Sequence, residues 1–271
     1  MFVLDTLLHR IRRGRETMAY PQGTAPALPD RHGGALRLNA AACAPGCAAC
    51  LPVCPTAALS RKQDLPVALD LGKCLFCGDC VNACPTKALV QTQDHRLATR
   101  TRAGLVLGGD TGRSERDLAT ALEQRMLALF GRSLRLRQVS AGGCNACEAD
   151  TNVLGTIGWD LSRFGIQFVA SPRHADGLLV TGPVSQGMSL ALRKTWDAVP
   201  EPRLVIAVGA CAISGGPFAG HPETDGGASS VVPVDLFIPG CPPHPLTILD
   251  GLLRLLDRLD AAKHSATVPV P

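Results

Sequence analysis

The chain carries twelve cysteines in 271 residues, and their spacing says what chemistry they could do. Eight fall in two runs, CAPGCAACLPVCPTAAL (43–59) and CLFCGDCVNACPTKAL (74–89). Cys47 and Cys77, Cys50 and Cys80, and Cys54 and Cys84 are each thirty residues apart, whereas Cys43 and Cys74 are thirty-one apart. The runs are therefore copies of one unit, with one additional residue in the first, around Pro45 and Gly46. Each approximates C-x2-C-x2-C-x3-C-P, the run that binds 4Fe-4S clusters in bacterial ferredoxins, where the fourth cysteine serves the other copy's cluster. That rule assigns Cys43, Cys47, Cys50 and Cys84 to one cluster, and Cys54, Cys74, Cys77 and Cys80 to a second. Proline after each fourth cysteine fixes the local backbone. A pair of zinc sites is the competing reading.

The other four cysteines are scattered: Cys144 and Cys147 in GGCNACEAD, then Cys211 and Cys241. What could bring them together is the element pattern. Short apolar or alternating runs at 134–140, 165–170, 176–182, 203–210 and 234–240 read as strands. Helical patterns at about 147–163, 184–198 and 245–261 separate them. Strand alternating with helix predicts an open parallel sheet, and such sheets bind ligands beyond the carboxyl ends of their strands. All four cysteines follow strand ends. Gly142 and Gly143, and Gly215 and Gly216, would let the backbone approach a bulky group there. Four thiols make a third 4Fe-4S cluster or a zinc site, and iron is favoured by two ferredoxin runs in the same chain, since zinc cannot relay electrons.

The expected fold is an α+β ferredoxin-like di-cluster domain followed by an α/β open parallel-sheet (flavodoxin-like) domain. The divisions are 1–95 for an amphipathic helix plus the cluster domain, 96–133 for a connector with a helix in SERDLATALEQRMLALF, 134–262 for the sheet domain, and 263–271 for a disordered tail. The glycines of GLVLGGDTGRSERD (104–117) lack G-x-G-x-x-G spacing and read as a turn before a helix. Within 2–18, Phe2, Val3, Leu4, Leu7, Leu8 and Ile11 fall on one helical face with Arg10, Arg12, Arg13 and Arg15 nearby, suited to a membrane surface or a partner.

Composition excludes other classes. No run approaches the ~18 apolar residues of a membrane span, and the first residues do not read as a secretory leader, which predicts a soluble or peripheral protein with thiols in a reducing compartment. Twenty-seven basic against 23 acidic residues, net +4, give no argument for nucleic acid.

GGCNACEAD, RFGIQFVASPRHADGLLVTGPV, VGACAISGGPF and VPVDLFIPGCPPHPLTILDGL together resemble the small subunit of membrane-bound energy-converting nickel-iron hydrogenases of the formate hydrogenlyase type, and its relative in respiratory complex I. Residues 1–90 resemble the ferredoxin-like subunit of the same assemblies, so the chain looks like a fusion of two neighbouring subunits. The C-x2-C at Cys144 and Cys147 is similar to the hydrogenase branch; complex I chains carry adjacent cysteines. The resemblance implies a membrane-associated hydrogenase relay subunit with three 4Fe-4S clusters. It implies as partners a nickel-iron large subunit, membrane subunits and a formate dehydrogenase or other donor. It places the chain in the cytoplasm on the inner face of the cell membrane. No cysteine remains for nickel, so no residue here is catalytic, but the family implies Glu148 on a proton passage; a helix-start acid is the plainer reading. His244 stands where the family commonly has arginine and reads as a surface histidine near the site, or one that tunes a cluster. The stretch 221–230 lacks the family's tyrosine-containing loop. Arg173 and His174 match the family but read as loop anchors. A quinone-reducing complex I-type relay and a zinc-stabilised interaction scaffold remain as alternatives.

Overall fold

A computed structural model describes residues 2–14, 16–62, 65, 67–111, 117–131 and 133–259. The expected tail, Arg15 and the end of the last helical pattern lie outside them. The elements, in order, are α1 (Phe2–Arg13), β1 (Leu36–Leu38), β2 (Leu59–Ser60), β3 (Ala68–Asp70), α2 (Asp79–Asn82), β4 (Leu89–Gln91) and β5 (Val106–Gly108). Then come α3 (Gln124–Phe130), β6 (Leu134–Ser140), α4 (Ala146–Val153), β7 (Ile166–Phe168), β8 (Gly177–Thr181), α5 (Gln186–Asp197), β9 (Leu204–Val208), α6 (Ala210–Ser214), β10 (Leu236–Ile238) and α7 (Pro245–Leu255).

The sequence repeat folds as a repeat. β1, ahead of the first cysteine run, pairs antiparallel with β4, which follows the second run; β2, after the first run, pairs antiparallel with β3, ahead of the second. Each run is thus clamped between strands of both copies. The additional residue of the first copy is absorbed by a turn at Pro45–Gly46, where Cys47 N–H donates to Ala44 O at 3.1 Å and Gly46 takes φ +74°.

The second half is a five-stranded parallel sheet in the order β10-β9-β8-β6-β7. Counted from its own first strand this is 2-1-3-4-5, the flavodoxin-like winding, whose switch point lies between β6 and β8. β8 and β9 are buried along their whole length, as strands covered on both faces must be.

Three expectations change. The 147–163 helix stops at Val153: Leu154, Gly155 and Thr156 close tight turns, and Asp160 adopts φ +46°. The connector helix covers only 124–130. Ala119 N–H donates to Ala98 O and Leu122 N–H to Leu255 O, so this stretch spends its donors on neighbours instead of a helical turn. The glycine-rich stretch is not a turn into a helix; it holds β5, which joins β3 as the third strand of the cluster fold's sheet. The connector in fact stitches the halves together, because Thr99 also exchanges backbone hydrogen bonds with Phe237 on the edge strand β10, at 3.0 and 2.9 Å. One hydrophobic core runs from Leu36, Leu69 and Leu107 to Val139, Val205 and Phe237, so the two halves do not have separate interiors.

Candidate iron-sulfur sites

The fold brings the twelve thiols together in three sets of four. Acting electrostatically on Cys50 are Cys43, Cys84 and Cys47; on Cys74, they are Cys80, Cys54 and Cys77; on Cys147, they include Cys211, Cys241 and Cys144. The fourth cysteines are exchanged between the copies: Cys84 faces the first run and Cys54 the second.

The backbone is arranged to donate to sulfur. Ala58 N–H reaches Cys54 Sγ and Ala88 N–H reaches Cys84 Sγ, each at 3.2 Å, and Phe76 N–H reaches Cys74 Sγ at 3.3 Å. Such donors stabilise negative charge on sulfur and are a recognised control of cluster potential. At Cys84 burial pushes the thiol up, but donors from Leu89, Thr86 and Ala88 outweigh it and hold the group below its ordinary value. At six other cysteines burial wins. It drives Cys74 up to about 12 and Cys80 and Cys211 up to about 11, with neighbouring thiols adding to the rise, and it raises Cys147, Cys50 and Cys241. Thiols so placed release their protons to a bound metal.

The third set is built by strand ends. Cys144 and Cys147 follow β6, with Asn145 between them at φ +70°, a left-handed turn that Asn tolerates better than most residues. Cys211 opens α6 after β9, and Cys241 follows β10. Cys144 and Cys241 are exposed; Cys147 and Cys211 are half-buried.

The glycines expected to matter do so in part. A Cβ on Gly216 would stand 3.0 Å from Cys211 Sγ, and one on Gly143 would stand 3.0 Å from Gly182 Cα. The tightest approach to a sulfur falls on a glycine that sequence reasoning missed. At Gly209, φ +91°, a Cβ would lie 2.5 Å from Cys147 Sγ. Its signal was the motif GAC directly after a strand, which parallels GC at 240–241.

Glu148 is neither exposed nor a simple helix-start acid. It is buried on the first turn of α4, where its Oε1 accepts from Ser140 Oγ at 2.6 Å and Thr181 Oγ1 at 2.7 Å. Ser140 and Thr181 are register partners at the ends of β6 and β8, so the switch point itself aims both hydroxyls at the carboxylate. His244 is not a surface histidine: it is half-buried, its Nδ1 caps α7 by accepting from Leu246 N–H at 3.1 Å, and its ring meets His32 and Trp159 edge-on. Arg173 and His174 are exposed just ahead of β8, at the end of the sheet away from the thiols.

The sets also adjoin one another. Cys80 of the second set senses Cys50 of the first. Leu75 and Phe76 of the second run share a cleft of about 310 Å³ with Cys241, and Ser214 Oγ donates to Gly72 O at 2.9 Å. The second run thus has neighbours in both of the other sets.

The donor chemistry and this geometry agree with known proteins. The profile of the 4Fe-4S dicluster domain matches residues 42–88, and that of the NADH ubiquinone oxidoreductase 20 Kd subunit matches residues 144–255. The probable membrane-bound hydrogenase subunit mbhJ of Pyrococcus furiosus is 39% identical over 149 residues, covering 55% of this chain and 89% of that protein. Formate hydrogenlyase subunit 7 of Escherichia coli is 39% identical over 145 residues, 54% of this chain and 57% of its own length. The corresponding NADH-quinone oxidoreductase chain of Desulfovibrio desulfuricans is 47% identical over 113 residues, 42% of this chain and 61% of its own. The chain thus spans most of the first relative and somewhat more than half of the other two. It belongs to the oxidoreductase family of the NADH ubiquinone oxidoreductase 20 Kd subunit, with a 4Fe-4S dicluster domain joined ahead of it in the same polypeptide.

Proposed function

We propose that this chain is the electron-relay subunit of a membrane-associated nickel-iron hydrogenase complex, joining a large subunit that holds the nickel-iron site to a donor or acceptor such as a formate-oxidising subunit. The observation that carries this reading is the grouping of the thiols in three sets of four, with Cys50 of the first acting electrostatically on Cys80 of the second and Leu75 and Phe76 of the second run lining one cleft with Cys241 of the third. Cys43, Cys47, Cys50 and Cys84, then Cys54, Cys74, Cys77 and Cys80, then Cys144, Cys147, Cys211 and Cys241 would each hold one 4Fe-4S cluster. When bound, these groups carry one electron at a time. The protein's own part is to place the sulfurs, aim backbone N–H groups at them and limit water around the second set. The exposed edges of Cys144 and Cys241 face outward, where a large subunit would dock. Glu148, held by two hydroxyls beside Cys147, is suited to move a proton along that edge.

What counts against a zinc scaffold is the company the third set keeps: a 4Fe-4S dicluster domain shares the chain, and zinc cannot relay electrons. The hydrogenase branch is favoured over a quinone-reducing relay by Cys144 and Cys147 being separated by two residues. The 47% identity to a chain of an NADH-quinone oxidoreductase keeps that second reading in view.

The test is anaerobic purification followed by iron, sulfide, zinc and nickel analysis. The relay reading expects about twelve iron and as many sulfides per chain, nickel only in a co-purifying large subunit, and no zinc. Stoichiometric zinc without sulfide would overturn it. A co-purifying large subunit without nickel would shift the assignment to the quinone branch.

A further inference from the structure

Among the described residues, nothing covers the apolar side of α1. Val3, Leu4, Leu7, Leu8 and Ile11 are 76, 67, 53, 42 and 72% exposed and recur at the spacing of one helical face. Arg10, Arg12 and Arg13 fill the last turn against a single acid, Asp5, which leaves the helix at +2. Twelve residues make a rod of about 18 Å, well short of the ~30 Å hydrocarbon core, so such a helix can lie on a bilayer but not cross it.

A second feature sits at the root of this helix. Met18 N–H donates to Gly158 O at 3.0 Å, which fixes the chain four residues beyond Gly14 against the loop after α4. In that loop Ile157 is 74% exposed, and Trp159 is half-buried two residues on. An apolar tip and an indole therefore stand beside the root of an apolar, arginine-flanked helix. Indoles favour the headgroup level, and arginines beside apolar residues complement acidic headgroups.

We propose that α1 and the Ile157–Trp159 loop form one docking surface for an anionic lipid bilayer. The apolar face enters the headgroup boundary and the arginines meet lipid phosphates. Because the Trp159 ring stands 6.0 Å from His244, three residues after Cys241, the docked side is the side of the third thiol set. The surface deepens the membrane association proposed above but uses none of the relay residues.

The test is flotation of the full anaerobically purified chain with vesicles of phosphatidylcholine plus phosphatidylglycerol, or of phosphatidylcholine alone, at low and high salt. The expected result is binding at least about tenfold tighter to the anionic vesicles, weakened by salt. Leu4→Glu with Ile11→Glu should lose tenfold or more of that binding, and Arg10→Gln with Arg12→Gln and Arg13→Gln should lose the anionic preference alone. Iron content should be unchanged in every variant, which separates failure of this surface from failure of the relay. No flotation of the wild-type chain, or flotation indifferent to these substitutions, would overturn the proposal. So would variants that keep vesicle binding but lose a co-purifying protein, or that only dissolve a self-associated form seen by sedimentation.

Discussion

Replacing Gly209 by alanine tests the third site without touching a sulfur. The added Cβ would begin 2.5 Å from Cys147 Sγ, at φ +91°. With ψ at +156° this is a backbone region essentially open to glycine alone, and holding an alanine there costs roughly 1–3 kcal/mol. Restoring an ordinary non-bonded contact requires the sulfur or the strand end to withdraw by roughly 1 Å or more. A ligand constellation tolerates displacements of only about 0.5 Å, so the shift is larger than the site can absorb. Gly209→Ala should therefore reduce iron from about twelve to about eight atoms per chain and remove one cluster's signal from the low-temperature EPR spectrum. The atoms nearest the new Cβ belong to Cys147, Gly240 and Pro243, outside the first two sets, whose retained iron would show that the chain still folds. Gly187→Ala, on α5 with nothing within 4 Å of its new Cβ, is the control and should keep all the iron. A Gly209→Ala protein with the full iron complement and all three signals would refute the claim that the strand-end glycine makes room for the sulfur.

Other outcomes follow from the same geometry. Cys54→Ala should damage the same EPR signal as Cys74→Ala and Cys77→Ala, while Cys84→Ala should match Cys43→Ala; signals grouped by sequence copy would contradict the crossed sets. Asp94 holds the buried guanidinium of Arg96 through two hydrogen bonds at 2.8 and 3.0 Å. Asp94→Asn removes the carboxylate bound to that charge and should lower the urea midpoint, and because Asp250 still acts on Arg96 the cost should fall below the roughly 3–5 kcal/mol of a fully orphaned buried charge. Burial, with help from His32 and His95, lowers His244 to about 4, and burial also lowers His32 and His95. Depressed basic groups contribute stability that is present above their unfolded value near 6.5 and lost as pH falls toward the folded value. Urea midpoints should decline between pH 6.5 and 4, and His244→Asn, which can still cap α7, should decline less steeply than wild type over that window.

How much of this was legible in the residues depended on whether the signal was local. The cluster runs were readable because each thiol's neighbours are fixed by a few residues of chain, and the ferredoxin-type run led to the expectation that Cys54 and Cys84 cross between the copies, the side on which their electrostatic neighbours lie. The sheet was readable because Leu204–Val208 and Gly177–Thr181 are short apolar runs with no other stable use. What failed was decided by distant partners. Residues 117–123 have a helical composition, yet their N–H groups go to Ala98 and Leu255, which no local pattern reveals. Glu148 does lie in the first turn of α4, as a helix-start acid should, but its burial was not legible because Ser140 and Thr181, which turn it inward, are brought together only by the register of β6 and β8. Gly209 was passed over because the sulfur it makes room for is sixty-two residues away in sequence.

The connector gives the fusion a physical consequence beyond convenience. A chain that merely tethered two subunits would leave their relative position to a surface contact, and surface contacts between domains permit motion by default. Here the segment from Thr99 to Gly108 bonds to the edge strand β10 at one end and to β3 at the other, so a short stretch of backbone belongs to both sheets. Pairing also covers an edge strand that would otherwise offer unpaired N–H and C=O groups. Asp70 and Arg102 reinforce the join with hydrogen bonds of 2.7 and 2.6 Å, close to where Ser214 meets Gly72. The core beneath is continuous, and protein interiors resist small displacements because they are close-packed. Relay between neighbouring sites is acutely dependent on their separation. A fold that makes the second and third thiol sets parts of one packed body fixes that separation through hydrogen bonds and packing, where separate subunits would have to fix it by docking.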